Sequence, residues 1–220
     1  MAVWKPCCKP LAVYEVIMVD RYVCVFGASS SAIPNEHIEF AYELGERLAL
    51  IGIGLVFGAG RTGLMGAVAR GAHKNGGEIV GVIPEKLNLP GIYFEHCTER
   101  IETKTMHERK SAMEEKSSAF IALGGGFGTL EELLEVITLK QLGYHSKPII
   151  IVNIGGFYDA LIAQFERCVN DGFANPLFMR LFTVVHTVDE AIEEIDNSDT
   201  PVLPDKMQDA IRSAHFGKHD

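Results

Sequence analysis

The sequence predicts an α/β protein with a doubly wound parallel sheet that is covered by helices on both faces. Six short apolar runs alternate with helical segments along the chain of 220 residues. The runs are apolar throughout rather than alternating with polar residues, which is typical of strands buried on both faces. Three of them lead into loops rich in glycine or serine before the next helix, as expected at the sheet edge of such a fold.

Each predicted strand is a run of four or five mostly apolar residues that ends near a glycine, a proline or a polar turn residue. The six strands are residues 22–26, 54–57, 79–83, 119–123, 148–152 and 181–185. Residues 85–102 carry no regular period, so this stretch is predicted to be loop-like, with one possible short strand near Ile101.

The helices are predicted between the strands, where apolar residues recur at i, i+3 and i+4. They comprise residues 35–49 after Pro34, a segment that follows the glycine-rich residues 58–66, residues 103–117, a segment that ends near 142, residues 157–169 and residues 188–195. Outside them the apolar period is lost at both ends of the chain. We therefore expect an N-terminal extension at 1–19, a single domain at 20–197 and a C-terminal tail at 198–220.

Composition narrows the range of partners. Hydrophobic residues make up 47% of the chain and charged residues 22%, which suits one folded domain with a sizeable core. The formal net charge is −9. This acidic balance argues against a large interface for nucleic acid or an anionic membrane, although it leaves room for a local basic pocket.

The cysteines and the N-terminal residues indicate the compartment. Five scattered cysteines form no CxxC pair, and the eight histidines show no HxH or HExxH spacing, so we expect neither a disulfide framework nor a metal site. No apolar run reaches the about 18–20 residues of a membrane span. The first residues also lack the apolar segment of a signal peptide. These features predict a cytoplasmic protein.

Three loops at the predicted carboxyl ends of strands could bind a phosphate. They are residues 27–30, 58–66 and 124–129, and each precedes a helix whose first N–H groups are free to bind an anion. Glycines in such loops also serve tight turns without any ligand. Residues 58–63 have the GxGxxG spacing, which is a weak match to a dinucleotide fingerprint, and no loop has a Walker A ending. Together the three favour a nucleotide-like ligand.

The helix after residues 124–129 carries two adjacent acids. Glu132 lies nearly opposite an apolar stripe at 100° per residue, with Val136 and Leu139 on its own side. The stripe comprises Leu130, Leu133, Leu134 and Ile137. A helix that is apolar on two sides has two packing partners, and the second is either a facing subunit or a pocket wall. Glu132 is well placed for a sugar, whereas Glu131 and Glu132 could also simply complement the helix dipole.

A second pair of charges lies on the predicted helix 103–117. Arg109 and Lys110 share one face with Met106 and Met113, so they are expected to lie among apolar neighbours. A guanidinium suits a phosphate or a carboxylate bidentately. The alternative is a solvated face on which Glu108 and Glu114 are the ion-pair partners.

The segment Met-His-Glu-Arg-Lys at 106–110 and the segment Gly-Gly-Gly-Phe-Gly-Thr-Leu-Glu-Glu at 124–132 together resemble the LOG family. Its members are cytokinin riboside 5′-monophosphate phosphoribohydrolases, often misnamed lysine decarboxylases. Residues 25–30, 58–66 and 81–84 are similar to that family in the same order. The resemblance covers about residues 20–197 and implies a homodimeric, Rossmann-like domain without a cofactor.

The resemblance implies cleavage of the N-glycosidic bond of a nucleoside 5′-monophosphate such as AMP. Arg109 and Glu132 would be the catalytic pair. The residues implied to bind substrate are Ser29, Lys110, Gly125, Gly126, Gly128, Thr129 and Glu131. The family motif usually begins with proline, where this chain has Gly124.

Two other functions remain open on the same scaffold. The first is a non-catalytic carrier of a nucleotide or of the molybdenum cofactor, which Gly124 mildly favours and the retained pair of Arg109 and Glu132 disfavours. The second is a regulatory nucleotide sensor. Release of adenine from AMP would separate an enzyme from either binder.

Overall fold

A computed structural model of the protein describes residues 21–196. The predicted extension at 1–19 and the predicted tail at 198–220 lie outside the described residues. Seven strands are present: β1 (Tyr22–Phe26), β2 (Gly54–Phe57), β3 (Ile79–Pro84), β4 (Glu99–Thr103), β5 (Ala119–Ala122), β6 (Ile149–Val152) and β7 (Thr183–Val185). Six α-helices accompany them: α1 (Asn35–Leu50), α2 (Gly63–Lys74), α3 (Met106–Lys116), α4 (Phe127–Gln141), α5 (Asp159–Asn170) and α6 (Val188–Ile195).

All seven strands are parallel and lie in the order β4-β3-β2-β1-β5-β6-β7. The chain winds outward from β1 in one direction and then returns to pair β5 with the other side of β1. The doubly wound α/β fold predicted from the sequence is therefore confirmed. Ligands in such sheets bind beyond the carboxyl ends of the strands, next to the point where the winding direction reverses.

Two apolar layers enclose the sheet. Helices α1, α2 and α6 cover one face, where Leu44, Leu64 and Ala191 are buried. The other face is covered by α3, α4 and α5, with Met113, Leu133 and Tyr158 in its core. Because both faces are covered, nearly every residue of the five inner strands is buried, which explains their uninterrupted apolar sequences.

Strand β4 is the short strand expected near Ile101, and it pairs with β3 at the edge of the sheet. Its sequence is Glu-Arg-Ile-Glu-Thr, and four of its five residues are at least partly exposed. An edge strand with one covered side needs few apolar residues, so the apolar pattern is weak there.

The charged helix predicted to begin at Thr103 instead begins at Met106. Thr103 is the last residue of β4 and pairs with Pro84, while the Thr105 side chain accepts a hydrogen bond from the Glu108 N–H at 3.1 Å. An N-cap of this kind stabilises a helix start by about 1 kcal/mol. Pairing and capping therefore place the boundary later than the charge pattern predicted.

Two other boundaries differ from the prediction. The helix expected at 157–169 is Asp159–Asn170, because the Asn153 side chain accepts the Tyr158 N–H and holds the preceding turn. The strand expected at 181–185 is shortened to Thr183–Val185, since Leu181 follows the 3-10 helix Pro176–Arg180.

Helix α4 packs differently from the predicted stripe. Leu133 and Val136 are buried against the sheet, whereas Leu134 is 41% exposed and Leu130 is only partly covered. The apolar residues expected on one stripe are therefore divided between the core and an outward face. Within residues 21–196, no helix combines the length and the apolar character needed to cross a membrane.

Candidate active site

A cavity of about 610 Å³ opens beyond the carboxyl ends of the central strands. The loops after β1, β2 and β5 line it, as the sequence predicted for residues 27–30, 58–66 and 124–129. The lining residues on the predicted site list are Ser29, Arg109, Gly126, Gly128, Thr129 and Glu132. Its size suits a mononucleotide, since small-ligand pockets measure about 300–1,000 Å³.

Arg109 extends from α3 into the floor of this cavity and is nearly buried. Its Nε donates to the Val82 carbonyl oxygen at 3.1 Å, and its Nη1 donates to Glu132 Oε1 at 3.2 Å. A Cβ at Gly58 would lie 1.7 Å from Arg109 Nη2, so only glycine leaves space for the guanidinium there. The sequence marked Gly58 as part of a loop and did not assign it this role.

Glu132 lies in the second turn of α4, and its side chain is only 12% exposed. Burial raises the pKa of the Glu132 carboxyl above 4.5, its usual value, and the neighbouring negative charges of Glu131 and Glu135 add to the rise. The positive charges of Arg109 and Lys110 oppose it. The site thus holds a desolvated carboxyl group against a fixed cation, which is typical of catalytic acids and bases.

Lys110 and Glu131 lie next to the cavity but are not among the residues that line it. The Lys110 ammonium pairs with the Glu131 carboxylate and also with Glu135, at 2.9 Å from its Oε2. The alternative partners considered from sequence, Glu108 and Glu114, are not the ones used. A role of Lys110 and Glu131 in substrate binding stays a prediction.

The N-terminus of α4 forms one end of the cavity. Gly126 is the N-cap residue, and the first helical N–H groups that follow it lack acceptors within the helix. Gly126 and Gly128 have open space where a Cβ would lie, so a ligand can approach the backbone closely. Gly125 is packed against the Thr129 side chain and does not line the cavity. The open helix end suits an anion such as a phosphate.

Gly124 has ordinary surroundings despite replacing the usual proline of the resembled motif. A Cβ there would meet His37 and Phe157 at 3.5 and 3.6 Å, which is normal van der Waals contact. Its carbonyl oxygen accepts the Ala28 N–H at 3.1 Å and so ties the first loop to the third. The anchored carbonyl restrains the loop without a proline ring.

Ser29 is held from the opposite side of the cavity. Its carbonyl oxygen accepts a hydrogen bond from Thr62 Oγ1 at 2.6 Å. The N–H of Leu64 in α2 also donates to the Ala28 carbonyl oxygen at 2.8 Å. Both bonds join the loop after β1 to the start of α2. The loops after β1 and β2 therefore form one continuous wall of the cavity.

An apolar part of the cavity was missed from the sequence. Met65, Ile83, Leu87 and Ile92 line it, and Leu87 and Ile92 are 46% and 45% exposed. Leu87 belongs to the 3-10 helix Glu85–Leu87, and Ile92 lies in the loop before β4. The stretch 85–102 has no apolar period, so its contribution to a wall could not be recognised. The only trace of this wall in the sequence is the presence of isolated apolar residues, such as Leu87 and Ile92, in an otherwise irregular stretch.

Residues 21–196 contain no cluster of side chains suited to bind a metal ion. No three histidine, cysteine, aspartate or glutamate side chains there lie close enough together to hold a metal ion. The polar groups of the cavity are backbone amides, hydroxyls, one guanidinium and one carboxyl group. Such a set can bind a phosphate and stabilise a positively charged transition state.

Comparison with known proteins identifies relatives over most of the chain. A profile of the family described as "Possible lysine decarboxylase" matches residues 65–195. A probable cytokinin riboside 5′-monophosphate phosphoribohydrolase from Oryza sativa subsp. japonica is 42% identical, covering 78% of this chain and 79% of that protein. A cytokinin riboside 5′-monophosphate phosphoribohydrolase from Arabidopsis thaliana is 37% identical over 87% of this chain and 93% of its own length.

Solved structures share the fold at lower sequence identity. The molybdenum cofactor binding protein from Rippkaea orientalis has a TM-score of 0.61 and 25% identity, covering 79% of this chain and 93% of that one. The molybdenum cofactor carrier protein from Chlamydomonas reinhardtii has a TM-score of 0.60 and 23% identity, with 81% and 97% covered. The second likeness shows the fold alone.

The fold and cavity define a doubly wound α/β protein with an open helix N-terminus beside a buried arginine–glutamate pair. The matches to the rice and Arabidopsis proteins cover 78% and 87% of this chain. The chain belongs to the LOG family of cytokinin riboside 5′-monophosphate phosphoribohydrolases. The resemblance drawn from the two sequence motifs is therefore confirmed.

Proposed function

We propose that this protein hydrolyses the N-glycosidic bond of a nucleoside 5′-monophosphate, such as a cytokinin riboside monophosphate or AMP. The products are the free base and ribose 5-phosphate. The observation that carries the proposal is the contact of Arg109 Nη1 with Glu132 Oε1 at 3.2 Å inside a cavity lined by three glycine loops. The activity named for the family's rice and Arabidopsis members supports it.

Glu132 is the group we assign to the sugar. Breaking the bond between C1′ and the base nitrogen passes through an oxocarbenium-like state that is positive at the sugar. A carboxylate held beside that carbon stabilises the charge and orients the attacking water. Because only 12% of the Glu132 side chain is exposed, its charge is less screened than it would be in solution.

Arg109 positions this carboxylate and the leaving base. Its Nε is held by the Val82 carbonyl oxygen, so the guanidinium has one orientation. In that orientation it holds Glu132 and offsets negative charge that grows on the departing base. The α4 N-terminus with Gly126, Gly128 and Thr129 is assigned to the 5′-phosphate, which anchors the substrate through a part that does not react.

Direct detection of products tests the proposed reaction. Purified full-length protein incubated with AMP should release adenine and ribose 5-phosphate in equal amounts, both measurable by liquid chromatography. Binding of AMP without release of adenine would contradict the hydrolase and support a carrier or a sensor. The carrier alternative is not favoured, because storage of a ligand does not need a desolvated carboxyl group paired with a buried arginine.

The pH dependence of activity should follow Glu132. The carboxylate form is the active one, so kcat/KM for AMP should fall as pH drops through the pKa of Glu132, with a midpoint above 4.5. Glu131→Gln should move this midpoint to lower pH, because the Glu131 charge contributes to the raised pKa. Initial rates of adenine release measured over about pH 4–8 check both statements. An unmoved midpoint in the variant would argue against Glu132 as the titrating group.

We also propose that the chain forms a homodimer through the outward face of α4. This outer face comprises Phe127, Leu130, Leu134, Thr138 and Leu139, with the carboxylates of Glu131 and Glu135 beside them. Phe127 is 93% exposed and Leu134 is 41% exposed, so the single chain leaves apolar side chains in water beside the cavity. A second copy would cover them, as two-sided apolar character in one helix requires.

Leu134→Glu should convert the dimer into a monomer, because a charge would be buried at the centre of the interface. Sedimentation velocity at micromolar concentration measures the change in mass. Leu50→Glu is the matched control, since Leu50 is 67% exposed at the end of α1 and should leave the dimer intact. Equal masses for the wild type and Leu134→Glu would place any interface elsewhere.

A cytoplasmic location is our proposal for the compartment. Cys24, Cys97 and Cys168 are free thiols, and Cys24 lies buried in the core, where burial raises its pKa well above the usual value. Free thiols of this kind persist in a reducing compartment. Cell fractionation with detection of the tagged protein checks the location, and recovery in a secreted fraction would contradict it.

A further inference from the structure

A second cavity, of about 700 Å³, lies on the far side of the start of α2. Three segments form most of it: the turn before α2, the exposed side of α2, and the loop that leads to β4. Ser31, in the loop after β1, and Ile38, on α1, complete the wall. Thr62 belongs to the walls of both cavities, so the two are neighbours. The proposed hydrolysis uses none of the other side chains of this second cavity.

Backbone pairing brings the three segments together. Gly60 and Tyr93 form an antiparallel bridge, and the Arg61 N–H donates to the Ile92 carbonyl oxygen at 3.0 Å. This pairing places Ile92 opposite Arg61, and residues 94–96 follow in the same loop, where the Phe94 N–H donates to the Ala59 carbonyl oxygen at 2.9 Å. Arg70 and His73 lie three residues apart on α2 and therefore share its exposed side. The cavity is thus a built feature of the fold rather than a chance gap between loops.

Among residues 21–196, two guanidinium groups in the cavity have no carboxylate partner. Neither Arg61 nor Arg70 forms an ion pair within the part of the chain that the structure describes, and Arg70 Nη1 donates only to the Arg61 carbonyl oxygen, at 3.3 Å. Three other arginines pair with carboxylates, namely Arg21 with Asp196, Arg47 with Asp189 and Arg167 with Asp171. The exposed Arg180 forms no ion pair within residues 21–196 either, but it lies outside this cavity. Two neighbouring, unneutralised guanidinium groups are notable in a chain of net charge −9.

Two imidazole rings add further hydrogen-bond donors. The rings of His73 and His96 are stacked with centroids 4.5 Å apart and planes 12° apart. The buried Phe94 ring packs edge-on against both, with its centroid 6.2 Å from that of His73 and 5.6 Å from that of His96. Each imidazole carries at least one N–H in any protonation state.

One carboxylate opposes these groups. Glu95 lines the same cavity and is exposed. With both histidines neutral, the lining side chains still carry one more positive than negative charge.

We propose that this cavity binds a phosphate monoester, the group shared by sugar phosphates and nucleotides. Two unpaired guanidinium groups match the double negative charge of a phosphate monoester better than the single charge of a carboxylate. The imidazole N–H groups and the Ser31 hydroxyl supply further donors at the cavity wall. This site is separate from the phosphate position at α4 and does not depend on the hydrolase activity.

Titration of the full-length protein with ribose 5-phosphate, inorganic phosphate and uncharged ribose tests the proposal. The ring signals of His73 and His96, followed by NMR, should shift with either phosphate compound and stay unchanged with ribose. Arg70→Gln should weaken this response about tenfold, since it removes one charge-assisted contact. Glu95→Gln should strengthen it about threefold at low salt, because it removes the opposing charge.

Arg47→Gln serves as the matched control, because Arg47 lies on α1 and is already paired with Asp189. It should leave the histidine response unchanged. A tighter response to ribose 5-phosphate than to inorganic phosphate supports recognition of the ester, and an equal response supports recognition of the phosphate group alone. Unshifted histidine signals, or a response that Arg70→Gln leaves unaltered, would overturn the proposal. No turnover is needed, so the result is independent of AMP hydrolysis.

Discussion

Glu132→Gln is expected to lower kcat for AMP hydrolysis about 10³-fold, the upper range for loss of one preorganised electrostatic contact. The amide keeps the size of the side chain and an oxygen that can accept from Arg109 Nη1, so the fold should be retained. What it removes is the negative charge that faces the developing positive charge on the sugar. Steady-state release of adenine measures the loss, and circular dichroism checks the fold.

Glu166→Gln is the matched control for this variant. Glu166 is an exposed acid on α5, far along the chain from the cavity, and does not line it. Its replacement should leave kcat within about twofold, as surface changes of this type have little energetic effect. Full activity of Glu132→Gln with an intact fold would remove Glu132 from the mechanism. The hydrolase could then stand only with another group beside the sugar.

AMP should be cleaved with a kcat/KM at least about 10³-fold above that of adenosine. The two substrates differ only in the 5′-phosphate, which we place at the open N-terminus of α4. Each hydrogen bond to a charged group contributes about 1.5–3 kcal/mol, so two such bonds account for a factor of this size. Part of that binding energy holds the sugar against Glu132, so kcat as well as KM should differ.

The variant Thr129→Val tests the same placement of the 5′-phosphate by changing the protein instead of the substrate. Thr129 is buried at the cavity wall, and valine retains its shape while removing the hydroxyl. We expect about a tenfold loss of kcat/KM for AMP and no change for adenosine, measured by adenine release from each. Equal losses for both substrates would show that Thr129 does not contact the phosphate. Comparable rates of AMP and adenosine cleavage in the wild type would contradict phosphate anchoring altogether.

Part of the site on helices α3 and α4 could be predicted from the sequence. The motifs around Arg109 and Glu132 could be recognised, and helical periodicity indicated that Arg109 lies among apolar neighbours. The partners of Lys110 could not be assigned, because Glu108 and Glu114 are nearby in sequence but Lys110 pairs with Glu131 and Glu135 on another helix. Such pairing depends on how α3 and α4 pack over the sheet, which no local pattern records.

The contribution of residues 85–98, which precede β4, could not be predicted from the sequence. These residues have no period, yet the bridge between Gly60 and Tyr93 folds them over the carboxyl end of the sheet. There Leu87 and Ile92 complete the wall of the first cavity, and His96 joins His73 and Arg61 in the second. Non-local backbone pairing alone brings these side chains together.

The sequence alone is sufficient to predict the alternation of strands and helices, because uninterrupted apolar runs separated by helical segments are typical of a parallel sheet covered on both faces. It also determined the three glycine loops, since their turns depend on local backbone freedom. The contact of Arg109 with Glu132 at 3.2 Å, between residues 23 apart in the chain, depends on the tertiary structure. Desolvation is a property of the packed surroundings, so the raised pKa of Glu132 and the space that Gly58 leaves for Arg109 appear only once distant segments are assembled.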